Sequence, residues 1–303
     1  MRITRGMAKL SVAVAAALIL MKTWAWLASG SVAMLSALAD STLDLAASLF
    51  TYFAVRYAAQ PPDREHRYGH GKAEAFAGLV QAGLVAVSAA LILVEAIGRL
   101  LEPRPITHGS ESIVVMLASI ALTSALVTLQ ARAIRRTGSI ATAGDRMHYV
   151  SDLAANCVVI LGVVAGAFWN QPWADATAGI FVAVWLVYGA WSIARGAADH
   201  LMDREMADEQ RARIRELALV DPQVRGVHDL RTRMSGPYVH IQFHADLHPD
   251  ISLETAHKII VAAENRIRAE FPAADVIIHP DPGDRAEPHG HEYFSEGRRA
   301  SGG

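Results

Sequence analysis

The chain has 303 residues, 52% of them hydrophobic and 19% charged, with a formal net charge of −2. Soluble domains carry about 25% charged residues, so part of this chain is built for an apolar solvent. The near-neutral charge gives no electrostatic basis for binding nucleic acid. The single cysteine, Cys157, lies in an apolar run, which excludes an intrachain disulfide and argues against a soft thiolate site for Cu(I).

In chain order, Arg2, Arg5 and Lys9 precede a first apolar run, a pattern shared with secretory signals. The run continues past Trp24 and Trp26 and five more follow, so an uncleaved span over residues 9–28 fits better. The other spans are expected over residues 32–57, 73–100, 112–133, 146–169 and 174–198. Each reaches the ~20 residues needed to cross ~30 Å of hydrocarbon. Lys and Arg concentrate in alternate connections: Arg2, Arg5 and Lys9; then Arg56, Arg64, Arg67 and Lys72; then Arg132, Arg135, Arg136 and Arg146. The opposite connections hold only Arg99 and Arg104. The asymmetry predicts six spans with both termini cytoplasmic.

After Asp199 the pattern changes. A charged amphipathic helix is expected from Glu205 to Glu216, a strand from Val224 to Met234 and a turn at Ser235-Gly236-Pro237. A second strand runs from Tyr238 to Leu247, where Val239, Ile241, Phe243, Ala245 and Leu247 alternate with His240, Gln242, His244 and Asp246. Ser252 caps a helix reaching about Phe271, and a short strand covers residues 275–279. The fold class is therefore a membrane α-helical domain of six transmembrane helices (residues 1–200) plus a small cytoplasmic α+β domain (201–283). Residues 284–303 read as a disordered tail.

The residues that carry chemistry begin inside the membrane. Between Leu10 and Val55 the only charged residues are Lys22, Asp40 and Asp44. Two carboxylates four apart share one helix face, and each costs about 2.5–3.5 kcal/mol at mid-bilayer. His148 and Asp152 repeat the spacing in the fifth run. Asp40, Asp44, His148 and Asp152 supply three carboxylates and an imidazole, a ligand set for a divalent metal such as Zn²⁺. Metal and protons compete for such a pocket, which is the minimal machinery of an antiporter. A purely structural reading, with Asp40 or Asp152 capping a helix or pairing with Lys22, requires two four-spaced pairs to be accidental.

A second cluster, Asp63, His66 and His70, falls in the loop after span two; it could bind one ion or be an ordinary polar loop. A third, His228, His244, His257, His279 and Asp281, sits at the ends and polar faces of the soluble elements. His240 and His248 are weaker members, and His289 and His291 in the tail are assigned nothing. An enzyme is disfavoured because all four positions around the membrane metal can be filled by protein, whereas catalytic zinc keeps one open. His291-Glu292 is not followed by a second histidine at the required spacing, and Gly71-Lys72 lacks the other P-loop residues, so neither a zinc protease nor nucleotide drive is supported. A metal-sensing receptor and a passive channel are the competing non-enzyme readings.

These residues resemble the cation diffusion facilitators, most closely the bacterial zinc-transporter type, over residues 9–282. The likeness rests on Ala39-Asp40-Ser41 with Asp44, on residues 67–74 (RYGHGKAE), on His148-Tyr149 with Ser151-Asp152, on residues 226–233 (GVHDLRTR) and on residues 276–282 (VIIHPDP). The resemblance implies a lipid-embedded homodimer of the inner membrane, with a metallochaperone-like (ferredoxin-like) cytoplasmic domain. It implies export of Zn²⁺ by alternating access in exchange for inward H⁺. It makes Asp40, Asp44, His148 and Asp152 the transport site, Asp63, His66 and His70 a loop site, and His228, His244, His257, His279 and Asp281 a two-metal site bridged by Asp281. It also makes Lys72 and Asp203 a charge interlock and Met147 an apolar gate. Relatives with His in place of Asp40 are stricter for zinc, and Asp there goes with a wider range including Cd²⁺ and Fe²⁺.

Overall fold

The computed structural model describes residues 2–29, 32–101, 110–169, 173–236 and 238–283. The chain divides into two units, Met1–Leu201 and Met202–Gly303. The tail from residue 284, with His289 and His291, lies outside the described residues.

The first unit is built from six long helices: α1 (Arg2–Ser29), α2 (Val32–Ala58), α3 (Lys72–Leu101), α4 (Ser110–Thr137), α5 (Ile140–Trp169) and α6 (Trp173–Leu201). Helices α1, α3, α4 and α6 contain segments long and apolar enough to cross a membrane by length and composition. Helices α2 and α5 carry the ionisable residues Asp40, Asp44, Asp145, His148 and Asp152. Large apolar side chains point outward, including Leu20, Trp24, Leu91, Val94, Phe181 and Trp191. An apolar exterior around a partly polar interior is what a lipid solvent selects.

Helix α3 packs most extensively on α6 and α1 on α2, while α5 touches all five other long helices. Close approach of α3 and α5 depends on small residues. A methyl group on Gly144 would lie 2.8 Å from Gln81 Cβ and 3.3 Å from Gly78 Cα. Gln81, fully buried, donates to Ala47 O (3.1 Å) and Thr51 Oγ1 (2.8 Å), tying α3 to α2.

The ends of α4 and α5 differ from expectation. Helix α4 runs to Thr137, and α5 begins at Ile140 rather than near residue 146. Gly138, at φ +62°, closes α4 with its N–H on Ile134 O (2.8 Å), and the Ser139 side chain accepts from Thr142 N (3.2 Å) to start α5. Arg132, Arg135 and Arg136 are therefore helical residues of α4, and Arg146 belongs to α5, where its Nε donates to Val127 O at 3.4 Å.

The second unit contains α7 (Asp208–Ala218), β1 (Val224–Ser235), β2 (Tyr238–Leu247), α8 (Leu253–Glu270) and β3 (Ala274–Pro282). Strand order is β1-β2-β3; β1 and β2 are antiparallel, and α8 is the crossover that makes β2 and β3 parallel. The alternation along β2 buries Ile241, Phe243, Ala245 and Leu247 against Ile214 of α7 and Ile259 and Ile267 of α8. Ser252 accepts from Thr255 N and caps α8. Helix α7 starts three residues later than expected, because Glu205 is used elsewhere: its Oε2 accepts from Thr232 N (2.8 Å) and Oγ1 (2.6 Å), pinning the segment ahead of α7 to β1.

Phe243 is 0% exposed at the centre of this core. Phe243→Ala is expected to destabilise the soluble unit by about 3–5 kcal/mol, whereas Leu253→Ala, at a residue 82% exposed, should change it by less than about 0.5 kcal/mol. Urea unfolding followed by circular dichroism checks both.

Candidate metal centres

In the membrane unit Asp44 of α2 and His148 and Asp152 of α5 converge, each offering one ligand atom within 4.8 Å of the others. His148 Nε2 lies 3.1 Å from Asp44 Oδ1, and the side chains are 8% and 13% exposed. Ligand atoms around a tetrahedral Zn²⁺ stand roughly 3.3 Å apart, so small adjustments suffice to place a cation among these three. Asp152 Oδ2 and His148 Nδ1 are buried with no hydrogen-bond partner, a cost that a cation or an ordered water offsets. Asp40 is exposed one turn away on α2 and lies outside this group. Lys22 of α1 donates to Ser41 Oγ (2.7 Å) and Ala37 O (3.1 Å), placing a positive charge beside the same stretch of α2.

One helical turn from His148, α5 presents Asp145, 1% exposed, which the sequence reading gave no role. Gln130 of α4 donates to its Oδ2 (2.8 Å) and to Ser11 Oγ (3.1 Å). Ser48 of α2 lies 3.4 Å from Asp145 Oδ1 and 2.8 Å from the Tyr149 hydroxyl, which donates to Ser11 O (3.2 Å). This network joins α1, α2, α4 and α5 immediately beneath the cluster. It holds α2 and α5 at the spacing that lets Asp44 meet His148. The signal available in the sequence was the Asp145–His148 interval of three, which places both on neighbouring helix positions.

Asp63, His66 and His70 also come together, with ligand atoms within 4.8 Å. Asp63 Oδ1 accepts from the backbone N–H of His66 (2.6 Å) and Glu65 (2.9 Å), and Oδ2 lies 3.3 Å from His70 Nε2. The His66 N–H, joined by that of Glu65, holds the Asp63 carboxyl below its ordinary range. The sign follows: this contribution to loop order is present above about pH 4 and is lost as pH falls through the lower folded value. His70, 5% exposed, packs edge-on against Tyr57, whereas Asp63 and His66 are about half exposed.

In the soluble unit the register sets His228 opposite His244 and His244 opposite His279, a row of three imidazoles across the sheet. Asp281, whose side chain is 1% exposed, serves all three. Its Oδ2 lies 2.8 Å from His244 Nδ1 and 3.3 Å from His228 Nε2, and its Oδ1 lies 3.3 Å from His279 Nε2. A carboxylate with each oxygen turned to a different imidazole has the geometry to bridge two cations. His228 Nδ1 is also 3.4 Å from Asp246 Oδ2, a residue the sequence reading left on the polar face without a role. Gly226 makes room for it: a methyl there would lie 2.5 Å from that oxygen. His257 is exposed on α8, away from this group. His240 pairs with Asp275 (3.4 Å), and His248 Nδ1 accepts from Asp250 N (3.4 Å).

Lys72 and Asp203 fall in different units. Lys72 Nζ donates to Leu201 O (3.2 Å), and Asp203 Oδ2 lies 3.3 Å from the Arg233 guanidinium. Met147 packs beside His148 against apolar residues of α1, α3, α4 and α6.

A helical membrane unit with a buried carboxylate–imidazole cluster, joined to a soluble sheet with its own, defines a membrane protein that handles cations. Residues 8–202 match the cation efflux transmembrane domain and residues 206–283 the cation efflux protein cytoplasmic domain. The chain belongs to the cation efflux family, the cation diffusion facilitators. It is 43% identical to the cation-efflux pump FieF of Shewanella oneidensis, over 90% of this chain and 92% of that one. It is 40% identical to the proteins of the same name from Cronobacter sakazakii (89% of each chain) and Klebsiella pneumoniae (89% and 90%).

Two outcomes test the geometry. Asp145→Ala strands the Gln130 amide in a buried site and should lower stability by about 1–3 kcal/mol, read as a lower melting temperature in detergent, while Asp145→Asn, which keeps an acceptor, costs less. Asp63→Ala removes two backbone hydrogen bonds, so the His66 and Glu65 amides should exchange with deuterium faster at neutral pH.

Proposed function

We propose that the chain is a divalent-cation exporter that carries Zn²⁺ from cytoplasm to periplasm in exchange for inward protons. The observation that carries this reading is the convergence of Asp44, His148 and Asp152 within 4.8 Å inside the membrane unit. Ionisable groups in such a setting are retained for ion pathways. Ligands must shed protons before a metal can bind, so one pocket serves cation and proton alternately. Asp40, one turn from Asp44 on α2, completes the set of four when its carboxylate turns inward. Oxygen-rich coordination accommodates Cd²⁺ and Fe²⁺ as further substrates.

In this reading residues 1–200 are the transport domain and residues 201–283 a cytoplasmic metal-binding domain through which two copies associate. The match of residues 206–283 to the family's cytoplasmic domain supports that role. The Lys and Arg of alternate connections put both termini in the cytoplasm of an inner-membrane protein. Asp63, His66 and His70 receive or deliver metal at the cytoplasmic end. His228, His244, His279 and Asp281, with His257, bind the ions that report metal supply. Lys72 and Asp203 act as a charge interlock, and Met147 closes the water path beside His148. Alternating access follows: α2 and α5 carry opposite halves of the site, and a small relative movement opens it to one side or the other.

The protein in sealed vesicles should move Zn²⁺ along an opposing pH gradient and partly dissipate that gradient. Asp44→Ala and Asp152→Ala should each lower flux by at least about ten- to a hundredfold, since losing even an outer-shell partner of a metal ligand costs that much, while the dimer stays intact by light scattering. Wild-type protein that binds zinc without moving it would make it a membrane metal sensor instead. Full flux in Asp44→Ala would sink the site assignment.

A further inference from the structure

Among the described residues, Met147 packs against both of the apolar clusters beside α5: one with Leu18 and Leu126 of α1 and α4, the other with Val85 and Leu186 of α3 and α6. Its side chain ends on Gly189 of α6. A methyl group built on Gly189 would overlap Met147 Cε and lie 3.1 Å from Sδ and 3.7 Å from Cγ. The missing side chain is therefore what lets the methionine lie flat on α6. Gly189 is not a turn and has no positive φ; it sits inside a helix, where glycine is disfavoured by about 1 kcal/mol relative to alanine. Nothing local requires it, so the contact with Met147 is its visible use.

We propose that Gly189 is a positioning residue for transport: it forms the seat in which Met147 rests when the path beside His148 is closed. The inference rests on the reading of Met147 as a gate given above. Met147 and His148 are consecutive on α5, so seating one fixes the rotation of the helix and the direction of the other. The seat acts as a detent between two helix groups. Leaving it separates the α1/α4 side from the α3/α6 side at the level of the metal cluster, and returning to it re-closes them. Gly189→Ala holds the gate out of its seat, whereas Met147→Leu, one atom shorter at its tip, leaves the seat vacant and makes Gly189→Ala harmless.

The test uses the full-length protein with two readouts. Hydroxyl-radical labelling of the purified protein, read by mass spectrometry, reports exposure of Met147 whether or not any zinc moves. Zinc flux into vesicles under a pH gradient reports transport. Gly189→Ala should raise Met147 labelling and change flux by about fivefold, the rate change that corresponds to the smallest overpacking cost acting on the closed gate. In a Met147→Leu background the same substitution should change flux less than about twofold, a non-additivity expected only of directly coupled residues. Unchanged Met147 labelling in Gly189→Ala, or an equal flux effect in both backgrounds, overturns the proposal. If Gly189→Ala does not accumulate, recovery in the Met147→Leu background supports the seat and continued failure overturns it. Wild-type protein that moves no zinc while Gly189→Ala still unseats Met147 refutes the transport reading and not the contact.

Discussion

The structure depends on one costly juxtaposition: an imidazole and two carboxylates from α2 and α5, held together where water is scarce. His148 Nε2 and Asp44 Oδ1 stand 3.1 Å apart and Asp152 faces them with an unpartnered oxygen. Carboxylates this close repel one another, and each has lost most of its hydration. Such an arrangement calls for protons or a cation to neutralise it, which is the physical ground of the proposed exchange.

The remainder of the membrane unit serves to hold that site. Helix α5 touches every other long helix, so it is the element through which movement of any one of them reaches His148 and Asp152. The Gly78–Gly144 approach and the Asp145–Gln130–Ser48–Tyr149 network fix α5 on one side, and the Met147–Gly189 contact fixes it on another. Polar groups in the network are nearly all satisfied within the protein, as a lipid solvent demands. The soluble unit repeats the same donor types on a different scaffold. A sheet register aligns three histidines, and one buried carboxylate, Asp281, faces all of them.

Much of this was legible in the residues, and the reasons are physical. Intramembrane charges are so costly that Asp44, His148 and Asp152 stand out from composition and spacing alone. Strict alternation made β2 readable to its ends. What escaped notice needed three-dimensional partners. Asp145 reads as part of a charged connection because Arg146 follows it, yet α5 starts six residues earlier than expected and buries it. Asp246 gains meaning only from the register that brings it to His228 and from the space above Gly226. Glu205 looks helical by charge pattern, but Thr232 claims it. Asp40 has the same spacing argument as Asp152, yet stands exposed outside the cluster, because four-residue spacing sets a face and not a distance to another helix.

The central claim is that this cluster binds a divalent cation at the expense of protons. It is tested most directly by calorimetric titration of zinc into the full-length protein carrying His66→Ala and His244→Ala, in buffers of different ionisation enthalpy. The account predicts a remaining zinc site that releases protons on binding, weakens as pH falls, and disappears in Asp44→Asn and Asp152→Asn. Zinc binding at that site with no proton release, or binding undiminished by those two substitutions, would contradict it.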